Sequence, residues 1–131
     1  MTPADRAMER LQGWPDLTAG QASCGAGRAL RSVHSEILHF HSARDVDLHL
    51  TVPAIQRIHA DLRGSTAVRL VPGSRWVTVH LDCETDVDLL MSLVSMALKA
   101  HLTEGPATGP SPVSCNLHRV TLVPRDEPDE R

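Results

Sequence analysis

Aromatic side chains are nearly missing from this chain of 131 residues: it has no tyrosine, one phenylalanine (Phe40) and two tryptophans (Trp14 and Trp76). Stacking platforms for single-stranded nucleic acid need several exposed rings, so that class is disfavoured. An excess of one charge is missing too. Thirteen Lys and Arg stand against 16 Asp and Glu, for a net charge of −3, and the acidic tail RDEPDER supplies much of it. The near-neutral body has no Lys/Arg run, which argues against electrostatic binding to nucleic acid or to an anionic membrane. No apolar run approaches the ~20 residues that span a bilayer. The start, MTPADRAMERLQ, is polar and mixed in charge, unlike a signal peptide. A cytoplasmic protein is expected.

Cysteine is sparse and odd in number: Cys24, Cys83 and Cys115 are far apart, with no CxxC and no Cys/His spacing of the zinc type. They read as small buried or half-buried thiols, and nothing beside them marks an activated thiolate. Gly25-Ala26-Gly27 reads as a turn, because no helix with a P-loop lysine follows it. Serine catalysis has no GxSxG element to support it.

What is present is concentrated in Ser35–Leu50, SEILHFHSARDVDLHL, which reads as two strands joined by a tight turn. Side chains alternate between the faces of a strand. His39 and His41 therefore share a face with Ile37, whereas Glu36 falls with Leu38 and Phe40, at an exposed strand end or beside a partner such as Arg57. In the second strand Val46, Leu48 and Leu50 are apolar, and Asp45, Asp47 and His49 lie opposite. The result is a sheet with one oily side and one histidine/aspartate side.

Around this hairpin the pattern predicts a helix at Pro3–Gln12, short strands at Leu17–Ala22 and Arg28–Val33, and a helix capped by Thr51 that runs to Gly64. Strands at Ala67–Val71 and Trp76–Leu81 follow. The second points Val77, Val79 and Leu81 inward and Trp76, Thr78 and His80 outward. Thr85 with Asp88 resembles a capping box for a long helix at Asp86–Leu102, whose stripe includes Val87, Leu90, Val94, Ala97 and His101. This order predicts an α+β domain over residues 1–102, an antiparallel sheet of about five strands with helices on one face. Residues 103–112 read as a Pro/Gly linker, and 113–131 as an extra strand (Val113–Val123) with a charged tail.

Two uses of the polar face follow. An HxH pair on a strand can chelate a metal, and a third ligand from a neighbouring strand completes the set His39, His41 and His49, or Asp47 in place of His49. As an acid/base or ligand-binding surface, His39, His41 and His80 are the catalytic candidates, with His39, His41, Asp47, His49 and Trp76 as ligand-binding residues. A solvated polar sheet face is the plain alternative. No cofactor is required by any of these residues.

EILHFH (Glu36–His41), the Asp45–Leu50 strand, TVPAIQRIHADL and GSRWVTVHLDCETDVDLLMSLVSMALKAH together resemble the luciferase-domain family. This is a group of small bacterial proteins to which the fungal luciferases are related. Glu36, Ile37, His39, His41, Gly73, Trp76, Val77, Asp86 and Val87 match its pattern, over about residues 10–102. The chain departs from it at Gly25-Ala26-Gly27, where many members carry paired glycines, and at Leu38, where glycine is common. The order of elements is also similar to that of YjbR-type (MmcQ-like) proteins, a group proposed to bind DNA. The resemblance implies a domain that binds or transforms a small organic molecule on the histidine face. A non-catalytic, self-associating interaction module built on Trp76 and the Val113–Val123 strand is the alternative, with DNA binding a distant third.

Overall fold

The architecture is a twisted antiparallel sheet with helices on its apolar side, seen in a computed structural model that describes residues 2–25, 27–33, 35–104 and 115–116. In chain order the elements are α1 (Pro3–Gln12), β1 (Thr18–Gln21), β2 (Arg28–Arg31), β3 (Glu36–Phe40), β4 (Asp45–His49), α2 (Val52–Arg57), α3 (His59–Arg63), β5 (Val68–Leu70), β6 (Trp76–His80) and α4 (Glu84–Glu104). The sheet order is β1-β2-β3-β4-β6-β5, with every pairing antiparallel. The expected α+β class holds, with six strands against the expected five or so. The expected strand at Val113–Val123 lies outside the described residues apart from Cys115 and Asn116.

Alternation sorts the sheet as the sequence suggested. Leu30, Leu38, Leu48, Val77 and Leu70 form one row across five strands, and Phe40, Val46, Val79 and Val68 form a second. Both rows belong to the core, with Val87, Leu90, Val94 and Ala97 of α4 and Ala7, Met8 and Leu11 of α1. Burying each large side chain of this set stabilises the fold by about 1.5–3 kcal/mol. Helix α1 begins with a capping box between Thr2 and Asp5, and Arg6 and Arg10 tie it to Glu84 and Asp88 of α4.

Three local readings are corrected. The helix expected from Thr51 to Gly64 is two short ones, α2 and α3, broken at Ile58 (φ −114°, ψ 24°). Capping of α4 falls to Asp86 rather than to Thr85 with Asp88: the Asp86 carboxylate accepts the amides of Asp82 and Cys83 at 2.8 and 3.3 Å.

The third correction shapes the site. Leu30 pairs with Leu38 but Arg31 pairs with Glu36, so β3 inserts Ile37 between them as a bulge. One extra residue reverses the alternation beyond it. Glu36 therefore leaves the Leu38/Phe40 side and joins the histidine side. Its partner there is His39, not Arg57.

Candidate metal centre and buried polar face

The centre of the polar side of the sheet is not wet. His39, Asp47, Trp76 and Thr78 are 1, 2, 2 and 8 % exposed, and His49 is buried with them. Trp76 does face this side, as expected, but it is enclosed there. The row Ala29–His39–Asp47–Thr78 runs across β2, β3, β4 and β6, flanked by the pair His49–Trp76.

Asn116 is seated on this row and is fully buried. Its backbone N–H donates to Asp47 Oδ2 at 2.8 Å, and its side-chain amide donates to the Trp76 carbonyl and to Thr78 Oγ1. The Ser74 hydroxyl donates to Asn116 Oδ1, and Thr78 Oγ1 donates to Asp47 Oδ1 at 2.6 Å. Both oxygens of the buried Asp47 carboxylate are thus satisfied, as burial demands.

The residue before Asn116 brings a thiol to the same place. Cys115 Sγ lies 3.6 Å from His41 Nε2, and Cys24 Sγ lies 3.5 Å from that same nitrogen. One ligand atom from each of Cys24, His39, His41 and Cys115 falls within 4.8 Å of all the others. Cys24 reaches this point on the β1–β2 turn. Gly27 makes that possible: its φ is +92°, and a Cβ there would stand 2.0 Å from the Phe40 carbonyl oxygen. Only glycine lets the turn lie so close against the end of β3. Glu36 fixes the turn as well, because its Oε1 accepts the Ser23 amide at 3.1 Å.

Each histidine of the group is oriented from behind. His39 Nε2 is 2.5 Å from Glu36 Oε1, so Nε2–H donates and Nδ1 keeps its lone pair. That Nδ1 is buried and has no hydrogen-bond partner among the described residues. His41 Nδ1 faces Asp47 Oδ2 at 3.7 Å, within ion-pair reach but beyond a direct hydrogen bond. A carboxylate hydrogen-bonded to a ring that also belongs to a ligand cluster is the usual outer shell of a metal-bound histidine. Burial works to raise the Glu36 carboxyl, but the Ser23 amide and the His39 ring outweigh it and hold the group below its ordinary range. Among the described residues, the ion-pair partners of Glu36 and Asp47 are histidines alone.

The other candidates stand elsewhere. His49 is stacked on Trp76 (ring centroids 4.8 Å, interplanar 13°) and meets His101 edge-on at 4.3 Å. His101 Nε2 donates to the His49 carbonyl at 2.9 Å, leaving Nδ1 to accept the Ser35 hydroxyl. His49 is therefore not in the ligand group with His39 and His41, contrary to the expected three-histidine set. Burial, then the neighbouring His101, push its pKa down to about 3, against a raising backbone hydrogen bond at Glu36. His80 is at the surface: Nδ1 is 2.7 Å from Asp45 Oδ1 and Nε2 is 3.2 Å from Asp82. The Asp45 hydrogen bond raises its pKa. It takes no part in the buried cluster. Cys83 is exposed, with its sulfur near Asp86.

The depressed His49 carries a testable pH dependence. An unfolded chain protonates this ring near 6.5, and the folded one resists until about 3. Its contribution is thus full above the unfolded value and is lost as pH falls from about 6.5 towards 3, at up to about 1.4 kcal/mol per pH unit. In urea unfolding at pH 7 and pH 5, His49→Gln is expected to lose less stability over this interval than the parent chain. Equal slopes would remove His49 from the acid response.

Sequence reading missed Cys24 and Cys115 because the ligands sit on three separate segments, and spacing rules see only ligands close in sequence. The HxH pair was the visible fragment of the group.

Among the described residues no helix is long and apolar enough to cross a membrane. No curated protein and no solved structure matches the chain significantly. Residues 34–97 match the family model described as Luciferase domain. That segment runs from the start of the histidine hairpin into α4, carrying His39, His41, Asp47 and Trp76 but neither cysteine of the cluster. Over this segment, just under half of its length, the chain is similar to the luciferase-domain family.

Proposed function

We propose that this is a metal-binding domain in which Cys24, His39, His41 and Cys115 hold one divalent ion of the zinc class. The observation that carries the reading is the convergence of two thiols and two imidazoles, from three separate segments, within 4.8 Å. A tetrahedral zinc ion with Zn–S near 2.3 Å and Zn–N near 2.0–2.1 Å places its sulfur and nitrogen ligands about 3.6 Å apart. The two sulfurs lie 3.5 and 3.6 Å from His41 Nε2. Hydrogen bonding between thiol and imidazole would account for those two distances, but not for the partnerless, buried Nδ1 of His39. Two thiolates and two imidazoles favour zinc over the hard cations magnesium and calcium.

Four protein ligands close a tetrahedral shell, the arrangement of a structural centre rather than a catalytic one. His39 and His41 act here as ligands, not as acid/base groups. The ion fastens the β1–β2 turn and Cys115 to the sheet and holds Asn116 over the Asp47 row. Metal analysis of the purified chain tests this. About one equivalent is expected, retained in Cys83→Ser and His80→Ala and lost in Cys24→Ser, His41→Ala and Cys115→Ser. A parent chain that stays metal-poor after growth with added zinc would sink the reading.

A second reading, a small neutral organic ligand beside Trp76, is favoured by one observation. Among the described residues Trp76 Nε1 is buried without a hydrogen-bond partner, and Trp76 borders a cleft of about 370 Å³ lined also by Ile55, Leu70, Gly73 and Ser74. An indole donor suits a group that accepts a hydrogen bond. The self-association reading loses the outward, exposed tryptophan on which it partly rested.

A further inference from the structure

Resting on the metal reading, we propose that Cys24 and Cys115 are a hydroperoxide-responsive thiol pair, whose oxidation to a disulfide releases the ion. Both sulfurs converge on one nitrogen, His41 Nε2, and lie within 4.8 Å of each other. They come from different segments, the β1–β2 turn and the stretch beyond α4, so the ion and a disulfide are alternative ties between the same two pieces of chain.

The two sulfurs differ in access, and that assigns their roles. Cys24 is partly exposed on its turn, whereas Cys115 is 1 % exposed. Attack on a peroxide follows thiolate character and access. Metal coordination supplies the thiolate, since a coordinating thiol is deprotonated. The Cys24 sulfur attacks one peroxide oxygen, the O–O bond breaks, and the departing hydroxide takes a proton to become water. The sulfenic acid now on Cys24 is a poor ligand. The Cys115 thiolate attacks its sulfur, the S–S bond forms, the S–O bond breaks, and a second protonated hydroxide leaves as water. Two electrons pass from the two sulfurs to the peroxide. The divalent ion loses two of its four ligands and departs unchanged in oxidation state. In this scheme Cys24 is the attacking thiol and Cys115 the resolving one.

Cys83, exposed and away from the centre, would confuse thiol counts, so the test uses full-length Cys83→Ser protein purified with its metal. Hydrogen peroxide is added in the presence of a chromogenic chelator. Expected are release of about one ion per chain, loss of two thiols, a mass lower by two hydrogens, and a peptide joining Cys24 to Cys115 that a dithiol reductant separates. In Cys115→Ser, which lacks both the ion and the resolving thiol, the oxidation should be slower and stop at a sulfenic acid on Cys24, captured by a dimedone-type reagent. Metal held through the treatment with both thiols intact would overturn the thiol pair and leave the metal reading standing. A chain purified without metal that still forms the Cys24–Cys115 link would overturn the metal reading and the ion release together, leaving only the redox pair. Oxidation of both sulfurs to sulfinic acids with no link would overturn the proposal.

Discussion

Stripping the metal with a strong chelator is expected to lower the midpoint of thermal unfolding by roughly 10–20 °C. The scale follows from linkage: an ion present at about a thousand times its dissociation constant stabilises the folded state by about 4 kcal/mol. Each kcal/mol moves the midpoint of a domain of this size by roughly 3–5 °C. The chain should stay folded at low temperature, unlike zinc-finger peptides, which unfold without their metal. The reason is the position of the centre. The core of Leu38, Leu48, Val77, Leu90 and Val94 lies between the sheet and α4 and uses none of the four ligands. Cys24→Ser and Cys115→Ser should each begin near the chelated midpoint and fall little further on adding chelator. Calorimetry with and without chelator checks this, and an unchanged parent midpoint would count against a structural ion. Hydrogen exchange should locate the loosening at the β1–β2 turn and at the Asn116 amide, which donates to Asp47.

Asp47→Ala should cost about 3–5 kcal/mol, the range for removing one member of a buried charged network. The substitution strips acceptors from the Thr78 hydroxyl and the Asn116 amide, and each buried donor left unsatisfied costs about 1–3 kcal/mol. It also removes the carboxylate facing His41 Nδ1, so metal affinity should fall about 10–100-fold. Asp47→Asn keeps the shape and one acceptor oxygen, and should fall between the parent and the alanine variant. Asp45→Ala is the contrasting case. Asp45 pairs with His80, both side chains are nearly half exposed, and such a pair contributes less than roughly 1 kcal/mol. Urea unfolding with a competitive metal titration measures both effects. A stability loss for Asp47→Ala no larger than for Asp45→Ala would mean that the buried network does not hold the face together.

Much of this fold was readable from periodicity. The ends of α1, the alternation of β3, β4 and β6, and the buried stripe of α4 follow from where apolar residues recur, because those residues face a single large core. The division of the sheet into oily and polar sides was legible for the same reason. Glu36 was misplaced because a bulge is set by pairing with β2, and one inserted residue reverses everything beyond it. Burial of the polar side was not legible, since what encloses it includes Cys115 and Asn116, far along the chain behind a proline-rich stretch that reads as a linker. His39 and His41 stood out by adjacency on one strand. Cys24 and Cys115 did not, because only folding brings them to His41. His80 looked equivalent to His39 by alternation, yet its place at the strand end leaves it among Asp45 and Asp82 in solvent.

X-ray absorption at the metal edge of the purified chain reads the ligand shell itself. A first shell of two sulfurs near 2.3 Å and two nitrogens near 2.0–2.1 Å is expected, and no metal edge from Cys115→Ser, which retains no ion. A shell of oxygen and nitrogen alone, or the same spectrum from parent and Cys115→Ser, would contradict it.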